Sequence, residues 1–161
     1  MSTQYQSGYK LRNLKAFVKA VVGGKIAGRM DCEMSNISLS LTPKNMGNGF
    51  DLMNQRYIAE FLFDKFPHRE YDPAVLFANV GAWLLDNDID RDDFNELGDP
   101  EIEVVIEDEV NAEVLITIEF EEPVKIVELV DGPIFWKNKR WTIAEYDIDV
   151  ATAFQLSIEK A

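Results

Sequence analysis

The amino-acid sequence predicts an α+β fold in which two helices pack against an antiparallel sheet. Two stretches, one starting at Gly8 and one at Pro73, repeat apolar residues at helical spacing. The second half of the chain alternates apolar with acidic residues, as strands do when one face is buried and the other is wet. The order helix, strands, helix, strands favours segregated elements. Over a length of 161 residues we expect a single domain, 1–161, with residues 1–8 flexible.

The first helix is predicted to be amphipathic, with lysines on its outer faces. Ser7 is placed to cap a helix that begins near Gly8, and the Gly23-Gly24 pair ends it. Its apolar stripe consists of Leu11, Leu14, Val18, Val21 and Val22. This spacing puts the apolar residues on the side that faces the core.

Two antiparallel strands joined by a glycine-bearing loop are predicted next. In "NISLSL", Ile37, Leu39 and Leu41 are expected to point inward, with serines outward. The stretch "PKNMGNG" then interrupts the alternation. In "RYIAEFLFD", one face is formed by Tyr57, Ala59, Phe61 and Phe63.

The second helix follows Asp72, which can cap it, and starts at Pro73, which suits the first helical position. Further apolar residues widen its stripe nearly all round, so we expect most of this helix to be buried in the domain or under a neighbouring subunit. The stripe consists of Leu76, Val80, Trp83 and Leu84, widened by Val75, Phe77 and Leu85.

The stretch from Glu101 to Glu121 is the clearest hairpin in the sequence. Ile102, Val104 and Ile106 are expected on one face, with glutamates on the other. Pro123 is expected to bend the chain into a further extended piece. A small hairpin containing Trp136 and Trp141 and a last strand in "VATAFQLSIEKA" complete the prediction. The partner strand of the main hairpin carries Val114, Ile116, Ile118 and Phe120 inward.

The charge of the chain is strongly negative and unevenly distributed. The net charge is −13, which argues against a protein that reads nucleic-acid sequence, and no stretch is apolar enough to span a membrane. Residues 1–29 contain six basic residues and no acidic one, whereas residues 86–131 contain eighteen acidic residues against Arg91 and Lys125. Such a division can steer copies of a protein toward one another or toward a charged partner.

The sequence shows no combination of residues that is typical of a catalytic centre or of a metal site. His68 is the single histidine and Cys32 the single cysteine, so neither a histidine-rich metal site nor a Cys-His nucleophile is expected. In "DNDIDRDDFNEL", counted from Asp86, an EF-hand would need glycine at Arg91 and glutamate at Leu97. We therefore predict no catalytic residue, no cofactor and no metal ligand.

Three stretches, "FANVGAWLLDND", "VLITIEFEE" and "VDGPIFWKN", occur in an order and spacing that resembles the R-type tail completion proteins of temperate, contractile-tailed phages. The resemblance covers residues 35–140. The matching residues are Ala82, Trp83, Leu84 and Asn87 in the helix and Val130, Asp131, Gly132, Lys137 and Asn138 in the turns.

The resemblance implies a structural protein with a fold similar to that of tail terminators. It would cap the head-proximal end of the tail tube and sheath, stop their polymerisation and join the tail to the head. The implied partners are the tube and sheath proteins, the head-neck connector proteins and further copies of the chain in a hexameric ring. The implied location is the virion tail, and the host cytoplasm during assembly.

The charge division suggests a hypothesis for an interface. Basic residues of the first helix would meet acidic residues of an adjacent subunit or tail component, and the aspartates after Trp83 would lie in an exposed or partner-facing loop. The residues are Lys10, Arg12, Lys15 and Lys19 on one side and Asp86, Asp88, Asp90 and Asp92 on the other. The alternative is an acidic binding module of phage origin that mimics DNA.

Overall fold

The computed structural model describes residues 8–91 and 97–144 as an antiparallel sheet with helices on one face. Ser7, Asp92 and the expected last strand lie outside these residues. In chain order the elements are α1 (Tyr9–Val22), α2 (Gly24–Ala27), β1 (Met30–Ser40), β2 (Lys44–Asn45), β3 (Phe50–Pro67), α3 (Pro73–Asn87), β4 (Glu101–Ile106), β5 (Asn111–Glu128), β6 (Ile134–Trp136) and β7 (Lys139–Ile143). The predicted α+β class is confirmed.

The sheet is built around two strands of 18 residues, β3 and β5, which pair along most of their length. The strand order is β1-β3-β5-β7-β6, with β2 added to β3 and β4 to β5. One edge of β5 is therefore covered by β3, while the other is shared by β4 near its start and β7 near its end. Along that second edge, no described strand pairs with β5 between these two neighbours.

The core lies between one face of the sheet, called here the helix-bearing face, and the two long helices. The predicted inward row of β3 from Tyr57 to Phe63 is buried, and so is the predicted row of β5 from Val114 to Phe120. These rows pack against the apolar stripes of α1 and α3, which match the stripes expected from helical spacing. The opposite face of the sheet carries the acidic residues, and no described helix packs on it.

The helix termini follow the local sequence signals. The α1 helix ends at Val22, and Gly23 follows with φ of 84°, a value that glycine adopts without strain. The side chain of Asp72 accepts a hydrogen bond from the amide of Ala74, as predicted for the cap of α3. The short α2 helix was not predicted.

The burial expected from the inward orientation of Ile37, Leu39 and Leu41 is wrong. Leu39 does lie on the helix-bearing face, since it pairs with Gln55, whose side chain bonds the buried Glu122. The exposed fractions of the three residues are nevertheless 43%, 52% and 77%. The buried part of β1 lies earlier, at Cys32 and Met34, in a stretch that was not predicted as a strand. Strand periodicity identified a real alternation, but it could not tell which alternating segment lies under a helix.

The bend predicted at Pro123 is also wrong, since β5 continues through it to Glu128. Proline has no amide hydrogen to donate, so it is tolerated where a strand has no neighbour. The carbonyls of Glu119 and Glu121 face the edge of β5 away from β3, where they accept hydrogen bonds from Arg91 and Lys10. Pro123 is also an odd-numbered residue of β5, so its backbone nitrogen faces the same edge. It lies in the part of this edge between β4 and β7, where no described strand needs an amide hydrogen from it.

The α3 helix is less buried than its composition suggests. Leu84 is 5% exposed, whereas the adjacent Leu85 is 82% exposed and Val75 is also on the surface. The domain alone therefore does not bury most of this helix, and burial of its exposed side under a neighbouring subunit stays a prediction.

This difference between neighbouring leucines gives a direct test of the fold. We expect Leu84→Ala to lower the free energy of unfolding by about 2–4 kcal/mol, because it removes a buried side chain and leaves a cavity. The matched substitution Leu85→Ala should change it by less than about 0.5 kcal/mol. Denaturant unfolding of both variants measures the difference, and equal losses would contradict the burial of α3 described here.

Candidate functional site

The N-terminus of α1 is held by a glutamate from the middle of the sheet. Glu122 is fully buried, and its Oε1 accepts hydrogen bonds from the amide of Tyr9 at 2.9 Å and from Nε2 of Gln55 at 3.0 Å. Its Oε2 accepts from the amide of Lys10 at 3.0 Å and from the hydroxyl of Tyr57 at 2.9 Å. No side chain of α1 itself caps this end, so Glu122 performs the function of an N-cap from a distant strand.

The remaining amides of the first turn are satisfied in the same way. Tyr57 accepts a hydrogen bond from the amide of Leu11 at 3.1 Å, and the amide of Gly8 points at the sulfur of Met34 at 3.2 Å. A Cβ atom on Gly8 would collide with the Tyr57 ring, so only glycine fits at this position. The backbone at the start of α1 thus packs directly against the Tyr57 ring.

Burial determines the ionisation of this pair. Burial raises the pKa of Tyr57, and the adjacent Glu122 charge raises it further, so the phenol stays protonated. Burial also raises the pKa of Glu122, although hydrogen bonds from Lys10, Tyr57, Gln55 and Tyr9 lower it in part. In the folded chain the Glu122 carboxyl group therefore keeps its proton over a pH interval in which the same group in the unfolded chain has lost it. Within that interval the Glu122 contribution to the free energy of unfolding falls as the pH rises.

The side chain of Lys10 connects α1 to the end of α3. Its Nζ lies 2.6 Å from Oδ1 of Asp88 and 3.2 Å from Oδ1 of Asp90, and it donates to the carbonyl of Glu121 at 2.8 Å. Lys10 and Asp88 are both buried, so this ion pair is shielded from water. Asp88 follows the last residue of α3, where a carboxylate is unfavourable next to the helix dipole, and the ammonium group compensates it.

Arg91 completes the cluster from the loop after α3. Its Nη1 lies 3.1 Å from Oδ2 of Asp88 and donates to the carbonyl of Glu119 at 2.7 Å. A second nitrogen donates to the carbonyl of Gly98. Both carboxylate oxygens of Asp88 and one oxygen of Asp90 are thus bonded to Lys10 or Arg91.

The eight residues of the predicted interface fall into different environments. Lys10 and Asp88 are buried in one chain, Lys19 and Asp86 are exposed, and Asp90 is partly buried. Arg12 and Lys15 are partly buried as well, and Asp92 lies outside the described residues. The two ends of the charge division do meet at Lys10 and Asp88, but inside the subunit. For the other residues the interface stays a prediction.

The function of Glu122 was missed by sequence reasoning, although the sequence contains a signal for it. The inward row of β5 occupies even positions up to Phe120, and Glu122 continues that row. Parity therefore places this glutamate among core residues. Which donors it would meet there depends on how α1 packs, and the sequence does not show that.

The sheet face opposite the helices, called here the bare face, carries many carboxylates. Its acidic residues include Asp31, Glu33, Glu60, Glu101, Glu103, Glu113, Glu119 and Glu121. Arg56 lies among them and pairs with Glu119 at 3.1 Å. Glu33 lies directly opposite Glu60 across two strands, an arrangement that costs a few tenths of a kcal/mol, roughly. A basic partner surface would relieve this repulsion.

The far end of the sheet is closed by an aromatic cluster. The ring of Phe50 lies 4.9 Å from Trp136 and 5.6 Å from Trp141 in edge-on contacts. Lys137 and Asn138 have φ of 52° and 58°, which identifies the tight turn of the predicted hairpin. A Cβ atom on Gly132 would collide with the backbone of Trp141. The "VDG" and "KN" stretches, on which the family resemblance rests in part, thus form turns and close packing contacts.

Groups with catalytic potential are scarce in the described part of the chain. Cys32 is buried, and burial raises the pKa of its thiol to about 12, which leaves it unreactive at neutral pH. His68 lies at the surface, with its ring near the carbonyl of Asp108. Residues 8–91 and 97–144 contain no cluster of three or more potential metal ligands. None of their helices is long and apolar enough to cross a membrane.

Comparisons with known proteins identify the family to which the chain is similar. Residues 8–145 match the family described as P2 phage tail completion protein R (GpR). A curated relative is a 19.2 kDa protein encoded in the rep-hol intergenic region of Haemophilus phage HP1 (strain HP1c1), which is 29% identical over 111 residues. That alignment covers 69% of this chain and 65% of the relative. No solved structure matches the chain.

The buried cap gives the first test of this site. We expect Glu122→Ala to lower the free energy of unfolding by about 3 kcal/mol or more, because several buried donors lose their acceptor. The neighbouring Glu121→Ala should cost less than about 1 kcal/mol, since the Glu121 side chain accepts one hydrogen bond, from Asn54. Thermal and urea unfolding at neutral pH compare the two variants. A similar loss in both would contradict the capping arrangement.

The buried ion pair gives the second test. We expect Lys10→Met to destabilise the isolated subunit by about 3–5 kcal/mol, because it removes one partner of the buried Asp88. Lys19→Met, an equal change of charge at an exposed position of the same helix, is expected to cost less than about 0.5 kcal/mol. Unfolding is measured at a concentration where light scattering gives the mass of one chain. Equal stability of the two variants would exclude the pairing within the subunit.

Proposed function

The chain belongs to the family of P2 phage tail completion protein R, and from this premise we propose that it is a non-enzymatic component that caps the head-proximal end of the tail tube and sheath. It stops their polymerisation and joins the completed tail to the head. The observation that carries the proposal is the match to a tail completion family over residues 8–145. The relative from phage HP1 is consistent with a phage origin. Because the chain spans about 65% of that relative, the activity of the whole protein belongs to the proposal.

A closed ring of identical subunits is the assembly that fits such a cap. A cyclic, head-to-tail ring needs two different complementary surfaces on each subunit. The described structure offers dissimilar surfaces: the acidic bare face of the sheet and the outer side of α1, which exposes Lys19. Lys10 and Asp88 pair with each other inside the subunit, so the proposal does not rest on them. The proposed charged contact joins Arg12, Lys15 and Lys19 to acidic residues of an adjacent subunit or a tail component.

The proposed partners are the tail tube and sheath proteins below the ring and the head-neck connector proteins above it. The proposed location is the virion tail, reached from the host cytoplasm during assembly. Membership in a tail completion family favours this structural function over the DNA-mimic alternative, which rests on net charge alone.

Deletion of the gene from the phage or prophage that encodes the chain tests the proposal. We expect lysates that contain filled heads separate from tails, with tails of irregular length, because nothing ends their polymerisation. Negative-stain electron microscopy measures tail length and the fraction of tails joined to heads. Wild-type protein supplied from a plasmid should restore both, whereas a copy with an early stop codon should restore neither. Normal, infectious particles in the deletion strain would exclude the proposed function.

A further inference from the structure

The described sheet has an open edge at β4, where apolar side chains are left uncovered. Ile102 and Val104 are each 41% exposed, and Ile106 is 61% exposed. They lie on the helix-bearing face, because Ile102 pairs with the buried Ile116 and the register continues from there. The predicted orientation of this row is therefore confirmed, but no described element covers it.

The backbone of β4 is also available for pairing. The amide of Glu107 donates a hydrogen bond to the carbonyl of Asn111. The backbone amides and carbonyls of odd-numbered residues in this segment therefore point toward β5. The amides and carbonyls of Ile102 and Val104 consequently point away from β5, where the described chain has no strand. The β4 segment from Glu101 to Ile106 contains neither lysine nor proline, two of the residues that protect an open edge against strand addition.

A second uncovered row lies at the opposite edge of the sheet, on β1. Leu39 pairs with Gln55, whose side chain bonds the buried Glu122, so Leu39 also lies on the helix-bearing face. An irregularity between Ser35 and Ser38, with Asn36 at φ of 53°, separates this end of β1 from its buried half. The stretch from Ser35 to Thr42 contains no charged residue.

Resting on the proposed ring, we propose that residues 37–41, the end of β1 and the residue after it, add in one copy to the open edge of β4 in the next copy, so that one sheet continues from subunit to subunit. Leu39 and the apolar row of β4 both lie on the helix-bearing face, as strands that extend the same sheet require. The neutral β1 segment brings no negative charge to Glu101 and Glu103. Pairing of β4 with a second β4 would place these acids against each other and is disfavoured.

A groove beside the start of β4 provides a further contact for the incoming strand. It has a volume of about 290 Å³ and includes Leu85, Ile89, Leu97 and Pro100 among its lining residues. Leu41, at the end of the β1 segment, is the most exposed of the three aliphatic residues in that row. Burial of this side chain against the groove would anchor the strand by removing apolar surface from water.

Cysteine cross-linking tests the pairing in the full chain. A chain carrying both Leu39→Cys and Val104→Cys is assembled, treated with a short bismaleimide reagent and run on a denaturing gel. We expect a ladder of covalent multimers that ends at the number of subunits in the ring. The native Cys32 is buried with a raised pKa and adds little background.

The matched variants distinguish other modes of pairing. Each single variant should remain one chain long on the gel, whereas a covalent dimer of Leu39→Cys alone would indicate pairing of β1 with β1. Combining Val104→Cys with Val130→Cys, which lies in the exposed turn after β5, should give no ladder. A β1 dimer, a ladder from the control pair, or no ladder from the test pair overturns the proposal.

Light scattering separates failure of this inference from failure of the proposed function. Multimers of defined mass without the cross-link exclude the strand pairing but leave the ring, whereas single chains, alone and with tail tubes present, exclude both. We further expect Val104→Pro to abolish multimers, because it removes an amide that faces the open edge. Val104→Thr, which keeps that amide, should assemble. Circular dichroism checks that both variants are folded, and assembly of folded Val104→Pro would overturn the proposal.

Discussion

The fold of this chain depends on a buried carboxylate that binds the N-terminus of a helix. Glu122 comes from the longest described ladder of the sheet and accepts hydrogen bonds from the first turn of α1. Removing a carboxylate from water is costly, so the position is favourable only because every donor around it is aimed at its oxygens. The same constraint places α1 on the sheet, fixes the Tyr57 hydroxyl and brings the Lys10 side chain to the end of α3.

Some of the opposite charges of the chain pair with each other inside the subunit. Lys10 and Arg91 neutralise Asp88 and cover carbonyls along an edge of β5 that has no strand neighbour among the described residues. Cationic side chains thus replace a missing strand there. The described residues leave exposed an acidic sheet face and two apolar edges, which are suited to contacts with other proteins.

A protein that assembles with copies of itself or with other tail proteins needs two properties. Each subunit must have a well-packed core, and its surface must offer contacts to partners. The well-packed core around Phe61 and Ile116 supplies the first property. The exposed rows around Leu39 and Val104 supply the second, because each would be a liability in a protein that stays alone. Their location at different edges favours contacts that run head to tail. An isologous dimer would instead require one edge to match itself.

The sequence by itself determined the α+β class, the cap at Asp72, the tight turn at Lys137 and the inward rows of the main strands. Those features depend on local geometry: helical spacing, strand alternation and turn chemistry act over a few residues. Only the tertiary structure decided that Leu39 and Leu85 are exposed, that Glu122 caps α1 and that Lys10 meets Asp88. Alternation identifies which side chains share a face. Whether another element covers that face is set by contacts between distant parts of the chain.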